Sequence, residues 1–115
     1  MADLQFEPAL PISDLPTGKM RACTIGGREV LVCHTKDGLH VVDNICTHAY
    51  ARLNEGRLRG TRLVCPLHGA VFDVHDGRVL KGPATEPLPA HHARLVEGQV
   101  EIALDPGAPV VLAEF

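Results

Sequence analysis

Cys46-Thr47-His48 and Cys65-Pro66-Leu67-His68 are the two stretches that decide how this chain folds. Each carries one cysteine and one histidine, and sixteen residues separate the two stretches. Each also begins where a short predicted strand ends, after Asn44-Ile45 in the first case and after Arg62-Leu63-Val64 in the second. Two loops of this kind can meet tip to tip, and ligands so close in sequence cost little chain entropy to bring together. The pattern therefore predicts a metal centre held between two loops.

Two kinds of metal centre use this set of donor atoms. A structural zinc site also takes two cysteines and two histidines, but zinc fingers usually place a cysteine pair before a histidine pair. Here the two residue types interleave, which suits a two-iron cluster in which each loop gives its cysteine to one iron and its histidine to the other. The sequence favours an iron–sulfur cluster bound by Cys46, His48, Cys65 and His68, with a structural zinc-binding module as the weaker alternative.

Turn signals divide the rest of the chain into short pieces. Gly and Pro supply 20 of the 115 residues, and Gly26-Gly27, Asp37-Gly38, Asp76-Gly77 and Glu97-Gly98 each lie between short apolar runs. This is the pattern of β-hairpins. The predicted strands cover residues 20–25, 28–35, 39–43, 61–65, 70–74, 78–81, 92–96 and 99–104.

The predicted strands indicate an all-β domain of small antiparallel sheets. The run Val30–Cys33 is apolar on both faces, which is typical of a central strand. No segment of ten residues holds a helical period without a breaker, and at most one helical turn fits around Ala49–Leu53. We expect a single domain over residues 1–115, with a core at about 10–104 and extended arms at 7–16 and 106–109.

Composition and charge exclude several classes of partner. The net charge is −3 and no basic run of five residues occurs, which argues against nucleic acid. No window approaches the roughly 18 apolar residues of a membrane span. The start, Met1–Pro8, carries acidic residues and no apolar stretch of signal-peptide type. We therefore expect a cytoplasmic protein, in which four cysteines are better used for metal binding than for disulfides.

The residues around the two motifs resemble the Rieske ferredoxins of bacterial ring-hydroxylating dioxygenase systems. The resemblance is carried by Asp43–Ala49 and Cys65–Gly69 and extends over about residues 10–104, including Asn54–Gly56 and Lys81–Ala84. It implies a Rieske-like fold with two cluster-binding loops at one tip and one 2Fe–2S cluster. It further implies an electron carrier, not itself an enzyme, that passes single electrons from a flavin-dependent reductase to a terminal oxygenase in aromatic hydrocarbon catabolism.

The resemblance also suggests how the cluster is surrounded. Ala51 and Leu67 stand where high-potential relatives carry a disulfide, and Ala70 and Phe72 stand where they carry a serine and a tyrosine. Lost hydrogen bonds to the cluster sulfurs lower the potential, so we expect a value around −150 mV. An exposed frame of small and apolar residues is expected from Ala49, Tyr50, Leu67, Gly69 and Pro83, with Pro83 covering the cluster.

Two other functions are weighed against the electron carrier. A Rieske small subunit built permanently into a larger oxidoreductase, such as a nitrite reductase, would carry the same ligands. An oxygenase would need a second iron site of two histidines and a carboxylate. Only Asp37-x2-His40 resembles part of such a site, and the chain is too short for the domain that would complete it.

The remaining cysteines and the histidine doublet have structural interpretations. Cys23 and Cys33 lie in predicted strands without ligand-type neighbours, so we expect core thiols. His91 and His92 are adjacent on a predicted strand and would point to opposite faces, which prevents one metal from using both.

Overall fold

Ten β-strands and two short 3₁₀ turns make up the regular structure of residues 4–48 and 50–109, the ranges that the computed structural model describes. The predictions made for Met1–Asp3 and for Ala49 lie outside these ranges. The strands are β1 Glu7–Pro11, β2 Met20–Ile25, β3 Arg28–Thr35, β4 Gly38–Asp43, β5 Arg57–Arg59, β6 Arg62–Val64, β7 Val71–Asp73, β8 Val79–Lys81, β9 Ala90–Val96 and β10 Gln99–Ala103. The described residues contain no helix long and apolar enough to cross a membrane.

The strands form two antiparallel sheets. The large sheet has six strands in the order β1-β10-β9-β4-β3-β2, and the small sheet has four in the order β5-β6-β7-β8. The small sheet is one continuous segment inserted between β4 and β9, which pair directly with each other in the large sheet. The predicted all-β class with small antiparallel sheets is confirmed.

The central position predicted for β3 is also confirmed, because β3 lies between β4 and β2. Its residues Val30–Cys33 are completely buried. Alternate side chains enter two different cores: Val30 and Val32 pack inside the large sheet, while Leu31 and Cys33 pack towards the small sheet. The large sheet curls around the first core, since its edge strands β1 and β2 contact each other.

The four predicted turns connect neighbouring strands of the two sheets. Gly26-Gly27 joins β2 to β3, and Glu97-Gly98 joins β9 to β10. All four of these residues have positive φ, from 49° to 81°, as two-residue hairpin turns require. Asp37-Gly38 and Asp76-Gly77 lie at the β3–β4 and β7–β8 connections.

Two strands and one turn differ from the sequence prediction. Part of the expected arm 7–16 is β1, an edge strand whose Leu10 is buried opposite Val100. Proline is tolerated at a sheet edge, so Pro8 and Pro11 do not prevent pairing. The strand β5 was not predicted, because Arg57–Arg59 holds one apolar residue. The 3₁₀ turn lies at Leu53–Glu55 and not around 49–53.

Candidate metal centre

Two loops of matching construction carry the four predicted ligands. The Cys46 N–H donates to the carbonyl of Ala51 at 2.9 Å, and the Cys65 N–H donates to the carbonyl of Ala70 at 2.8 Å. Each hydrogen bond closes a six-residue tip, and the bridge between Ile45 and Arg52 flanks the first tip as the pair Val64 and Val71 flanks the second. The strand pairing thus holds the two cysteines at equivalent points at the base of their loops.

The structure brings cysteine to cysteine and histidine to histidine. Cys46 and Cys65 are 3% and 2% exposed, belong to the core between the two sheets, and interact through their thiols. The rings of His48 and His68 lie at the surface with their centroids 5.3 Å apart and their planes at 71°. Both interleaved pairs are therefore sorted by residue type, with thiols inside and imidazoles outside.

This sorting fits a dinuclear cluster. Among the residues that the structure describes, no three Cys, His, Asp or Glu side chains converge as a single metal ion would require. A Rieske cluster instead uses a cysteine pair on one iron and a histidine pair on the other. Burial raises the pKa of the Cys65 thiol to about 11. The neighbouring Cys46 raises this pKa further, whereas a hydrogen bond from the Leu67 N–H lowers it. A thiolate at Cys65 therefore needs a cation beside it.

The backbone of the second loop is strained at its histidine. His68 has φ of 68°, in the left-handed region that non-glycine residues rarely adopt, and Gly69 follows with φ of 73°. Such strain is retained where the surrounding structure requires it, and it is common at binding sites. Beneath this loop, a Cβ on Gly56 would lie 2.0 Å from the carbonyl oxygen of Val64, so only glycine fits there.

Asn44 anchors the first loop. Its buried side-chain oxygen accepts the Asn54 N–H at 2.9 Å, its amide donates to the Asn54 side-chain oxygen at 2.8 Å, and its carbonyl accepts the Leu53 N–H at 2.7 Å. The 3₁₀ turn at Leu53–Glu55 is therefore fixed against the residue that leads into Cys46. Sequence reasoning assigned Asn44 to the approach strand and gave it no role of its own.

A buried ionic network ends β4 just before the first loop. The Asp43 carboxylate accepts two hydrogen bonds from the Arg28 guanidinium and one from His91 Nε2, all at 2.7 Å. His91 Nδ1 accepts the Asp105 N–H at 3.0 Å, which leaves the ring proton on Nε2. Burial alone would raise the pKa of Asp43, but His91 and Arg28 hold it below its usual range. His92 points elsewhere and bonds the Asp105 carboxylate.

Asp43→Asn is expected to lower the free energy of unfolding at pH 7 by about 2–3 kcal/mol, because Arg28, whose side chain is 16% exposed, is left without its counter-ion. The folded-state pKa of Asp43 lies below its unfolded value, so this carboxylate stabilises the fold above about pH 4 and less as the pH falls through the folded value. Thermal unfolding from pH 7 to pH 3 should show the variant and the wild type converging in acid.

Exposed Asp14, changed to Asn, is the control and should alter stability by less than about 0.5 kcal/mol. An Asp43→Asn deficit that is the same at every pH would contradict the linkage.

Three of the residues expected to frame the cluster are exposed. Tyr50 and Leu67 are 65% and 44% exposed. Pro83 is also exposed, whereas its neighbour Ala84 is buried in the core that contains both cysteines. The hydroxyl of Thr47 donates to the Glu86 carbonyl at 2.6 Å, which joins the first loop to the segment after β8.

Ala70 and Phe72 line the inner side of the centre. Both are completely buried and belong to the same core as Cys46 and Cys65, and neither carries a hydroxyl. Cys33 lies in this core as well, and burial raises the pKa of its thiol to about 12. Cys23 is half-buried beside the other core. The thiols of Cys23 and Cys33 are free, as expected for core cysteines.

Comparison with known proteins agrees with this geometry. The model of the Rieske [2Fe-2S] domain matches residues 5–100. The chain belongs to the Rieske [2Fe-2S] family. Its cofactor is one Rieske-type 2Fe–2S cluster, and its all-β sheets are those of the Rieske fold.

Two relatives of this Rieske domain are named as ferredoxins. The ferredoxin component of a naphthalene 1,2-dioxygenase system from Pseudomonas aeruginosa is 34% identical over 91 residues, which cover 79% of this chain and 86% of the relative. The ferredoxin of carbazole 1,9a-dioxygenase from Nocardioides aromaticivorans IC177 has a TM-score of 0.83 at 26% identity, covering 87% of this chain and 98% of that one. These relatives identify the Rieske chain as a ferredoxin and not as an oxygenase.

A third likeness comes from a solved complex of reduced oxygenase and oxidised ferredoxin in carbazole 1,9a-dioxygenase. One chain of it matches with a TM-score of 0.81 at 30% identity, covering 88% of this Rieske chain and 94% of that one. That complex shows a relative in contact with an oxygenase.

Proposed function

We propose that Cys46, His48, Cys65 and His68 hold the 2Fe–2S cluster. We further propose that the chain passes single electrons from a flavin-dependent reductase to the terminal oxygenase of a ring-hydroxylating dioxygenase system. The observation that carries the proposal is the sorting of the ligands, with a buried thiol pair and a surface imidazole pair on two matching loops.

The donor set gives the cluster its redox character. Two ferric ions, two sulfides and two thiolates sum to zero charge, because neutral imidazoles add none. A four-cysteine cluster would carry about −2, so exchanging two cysteines for histidines makes the addition of an electron easier. The bound cluster supplies a one-electron couple, and the protein determines its potential and the side on which partners approach.

The exposed imidazoles define that side. His48 and His68 lie at the surface, while the thiols face the core, so a partner at this tip comes closest to the histidine-bound iron. Tyr50 and Leu67 give the tip an apolar contact surface. A small surface of this kind suits weak, transient docking, which a shuttle between two partners requires.

A solved structure of a putative NADH-dependent nitrite reductase small subunit from Mycobacterium tuberculosis matches with a TM-score of 0.75 at 24% identity, a likeness that shows the shared fold and assigns no role to this chain. Relatives that match at 30% identity or more include the ferredoxin component of a naphthalene 1,2-dioxygenase system and the ferredoxin subunit of anthranilate 1,2-dioxygenase. We also propose a cytoplasmic location, which the free thiols of the chain support because reduced cysteines suit a reducing compartment.

Two measurements test the proposal. The purified protein should be red-brown, contain two irons and two acid-labile sulfides, and show the EPR spectrum of a His-ligated cluster when reduced. In a reconstituted naphthalene 1,2-dioxygenase assay, it should support NADH-dependent product formation when added in place of the ferredoxin. A zinc-containing colourless protein, or a cluster protein that sediments only within a larger complex in cell extract, would contradict it.

A further inference from the structure

One face of the small sheet is strongly cationic. Leu58 pairs with buried Leu63 on the inner side, so the alternating residues Arg57, Arg59 and Arg62 project from the outer side. Arg59 and Arg62 lie directly opposite each other in the β5–β6 register. Like charges at opposed positions destabilise a strand pair, so this arrangement does not serve the stability of the fold.

Lys19 extends this surface towards the large sheet. A groove of about 430 Å³ is lined by Lys19, Arg57 and Arg59 together with the side of Asn54, and no carboxylate residue lines it. We call Lys19, Arg57, Arg59 and Arg62 the cationic face.

The charges of the cationic face are not neutralised within the part of the chain that the structure describes. No carboxylate there lies within 4.0 Å of these four cations, whereas Arg28, Arg52, Arg78 and Arg94 each form an ion pair. Asp73 lies opposite Arg62 in β7, but its carboxylate binds His75 and Arg78. Among the described residues Arg21, Lys36 and Lys81 also form no ion pair, so the cationic face is distinguished by the grouping of four such cations on adjoining elements of a chain whose net charge is −3.

The cationic face starts beside the base of the second loop and runs along β5 and β6 away from it. Arg57 lies opposite Val64, the residue before Cys65, and Arg62 is three residues before Cys65 on β6. At a rise of about 3.4 Å per residue, the Cα atoms of Arg57 and Arg62 lie within roughly 10 Å of the Cα atom of Cys65, at the base of the second loop. That distance is comparable to the Debye length at 0.1 M salt, so the positive charge of this face still influences how fast a charged molecule approaches the cluster.

We infer that the cationic face is the docking surface for an acidic patch on the protein that exchanges electrons with this chain. The inference rests on the proposed electron-carrier function and names the charge of the partner's surface. A protein with a local acidic patch complements these four cations. A long uniform polyanion such as DNA would also meet the acidic remainder of the chain, which repels it.

The rate at which small charged oxidants react with the cluster reports the electrostatic potential beside it, and this measurement needs no biological partner. The reduced holo-protein gives one electron to ferricyanide, forming ferrocyanide, or to hexaammineruthenium(III), forming the ruthenium(II) complex. If the cationic face acts at the cluster, oxidation by ferricyanide slows as salt is added, opposite to what the net charge of −3 predicts, and oxidation by the ruthenium complex accelerates.

Charge reversal at one position locates the effect. Arg59→Glu should slow oxidation by ferricyanide about threefold or more at 10 mM ionic strength. Lys36→Glu is the matched control, because Lys36 is exposed on the β3–β4 turn, at the opposite end of β4 from the first loop, and should change the rate by less than about 1.5-fold. Arg59→Glu also places opposite charges across from each other, so its melting temperature should equal or exceed that of the wild type.

Poly-L-glutamate serves as the model of an acidic protein surface. It should inhibit ferricyanide oxidation of the wild type and of Lys36→Glu, but not of Arg59→Glu. Equal effects of the two substitutions, stronger inhibition by duplex DNA, or equal inhibition by inorganic phosphate at the same charge concentration would overturn the inference. A chain that passes these tests but supports no dioxygenase turnover would refute the proposed function alone.

Discussion

Cys65→Ala is expected to give a colourless protein that retains less than about a tenth of the iron and sulfide of the wild type, because one iron loses a thiolate that no neighbouring residue replaces. Cys65 is 2% exposed at the base of the second loop and interacts with Cys46, so its loss removes half of the thiol pair. Iron and acid-labile sulfide analysis, with the visible absorption spectrum, measures the outcome.

Cys33→Ala is the matched control for this experiment. Cys33 is as deeply buried as Cys65 and lies in the same core, but the pKa of its thiol is raised to about 12 and it belongs to neither loop. The control should keep two irons and two sulfides. Loss of the cluster in both variants would mean that packing of the core, and not ligation, is being measured.

The double substitution Ala70→Ser and Phe72→Tyr adds two hydroxyl donors and is expected to raise the reduction potential by about 120–250 mV, or about 60–130 mV for each hydrogen bond. A hydrogen bond to a charged group contributes about 1.5–3 kcal/mol, and a one-electron couple shifts by about 59 mV for each 1.4 kcal/mol. The hydroxyls would stand in the core that holds both cysteines and would stabilise the more negative, reduced state. Protein-film voltammetry at pH 7 measures the shift from a starting value around −150 mV.

Val71→Thr is the control for the potential. Val71 is the first residue of β7 and lies between Ala70 and Phe72 in sequence. Its side chain therefore projects to the face of the sheet opposite to that of Phe72. The added hydroxyl should leave the potential unchanged within about 20 mV. Equal shifts in the control and the double variant would show that hydroxyls near the sulfurs do not raise the potential. A clearly positive wild-type potential would contradict the expected value of about −150 mV itself.

The parts of the fold that sequence predicted are those with local causes. Gly26-Gly27 and Glu97-Gly98 supply the positive φ of tight hairpins. The run Val30–Cys33 is entirely apolar, so its composition alone predicts a buried central strand. The edge strand β1 has no such signal, since its pairing depends on β10 some ninety residues away. The three-residue strand β5 exists because β6 pairs with it, not because its composition favours a strand.

The candidate site divides in the same way. The four proposed ligands stand in two short motifs, so their chemistry is visible in the sequence. The contact between Asp43 and His91 spans 48 residues and follows from the pairing of Val41 with His91 in β4 and β9, which no local pattern specifies. From the sequence, the doublet His91-His92 predicted only that the two side chains point to opposite faces of a strand, and not that His91 contacts Asp43. The cationic face likewise needs the β5–β6 register before Arg59 and Arg62 can be seen as neighbours.

The insertion of the small sheet between two strands that pair with each other has a consequence for assembly. Its four strands come from one unbroken segment, Arg57–Lys81, within the stretch of chain that leaves the end of β4 and returns at the start of β9, where those two strands pair. The larger scaffold can therefore reach its final pairing while the inserted unit is still open, which would expose both ligand loops to the maturation machinery. We expect amide hydrogen exchange in protein lacking its cofactor to be fast across this segment and slow in β3, with the two regions behaving as separate cooperative units.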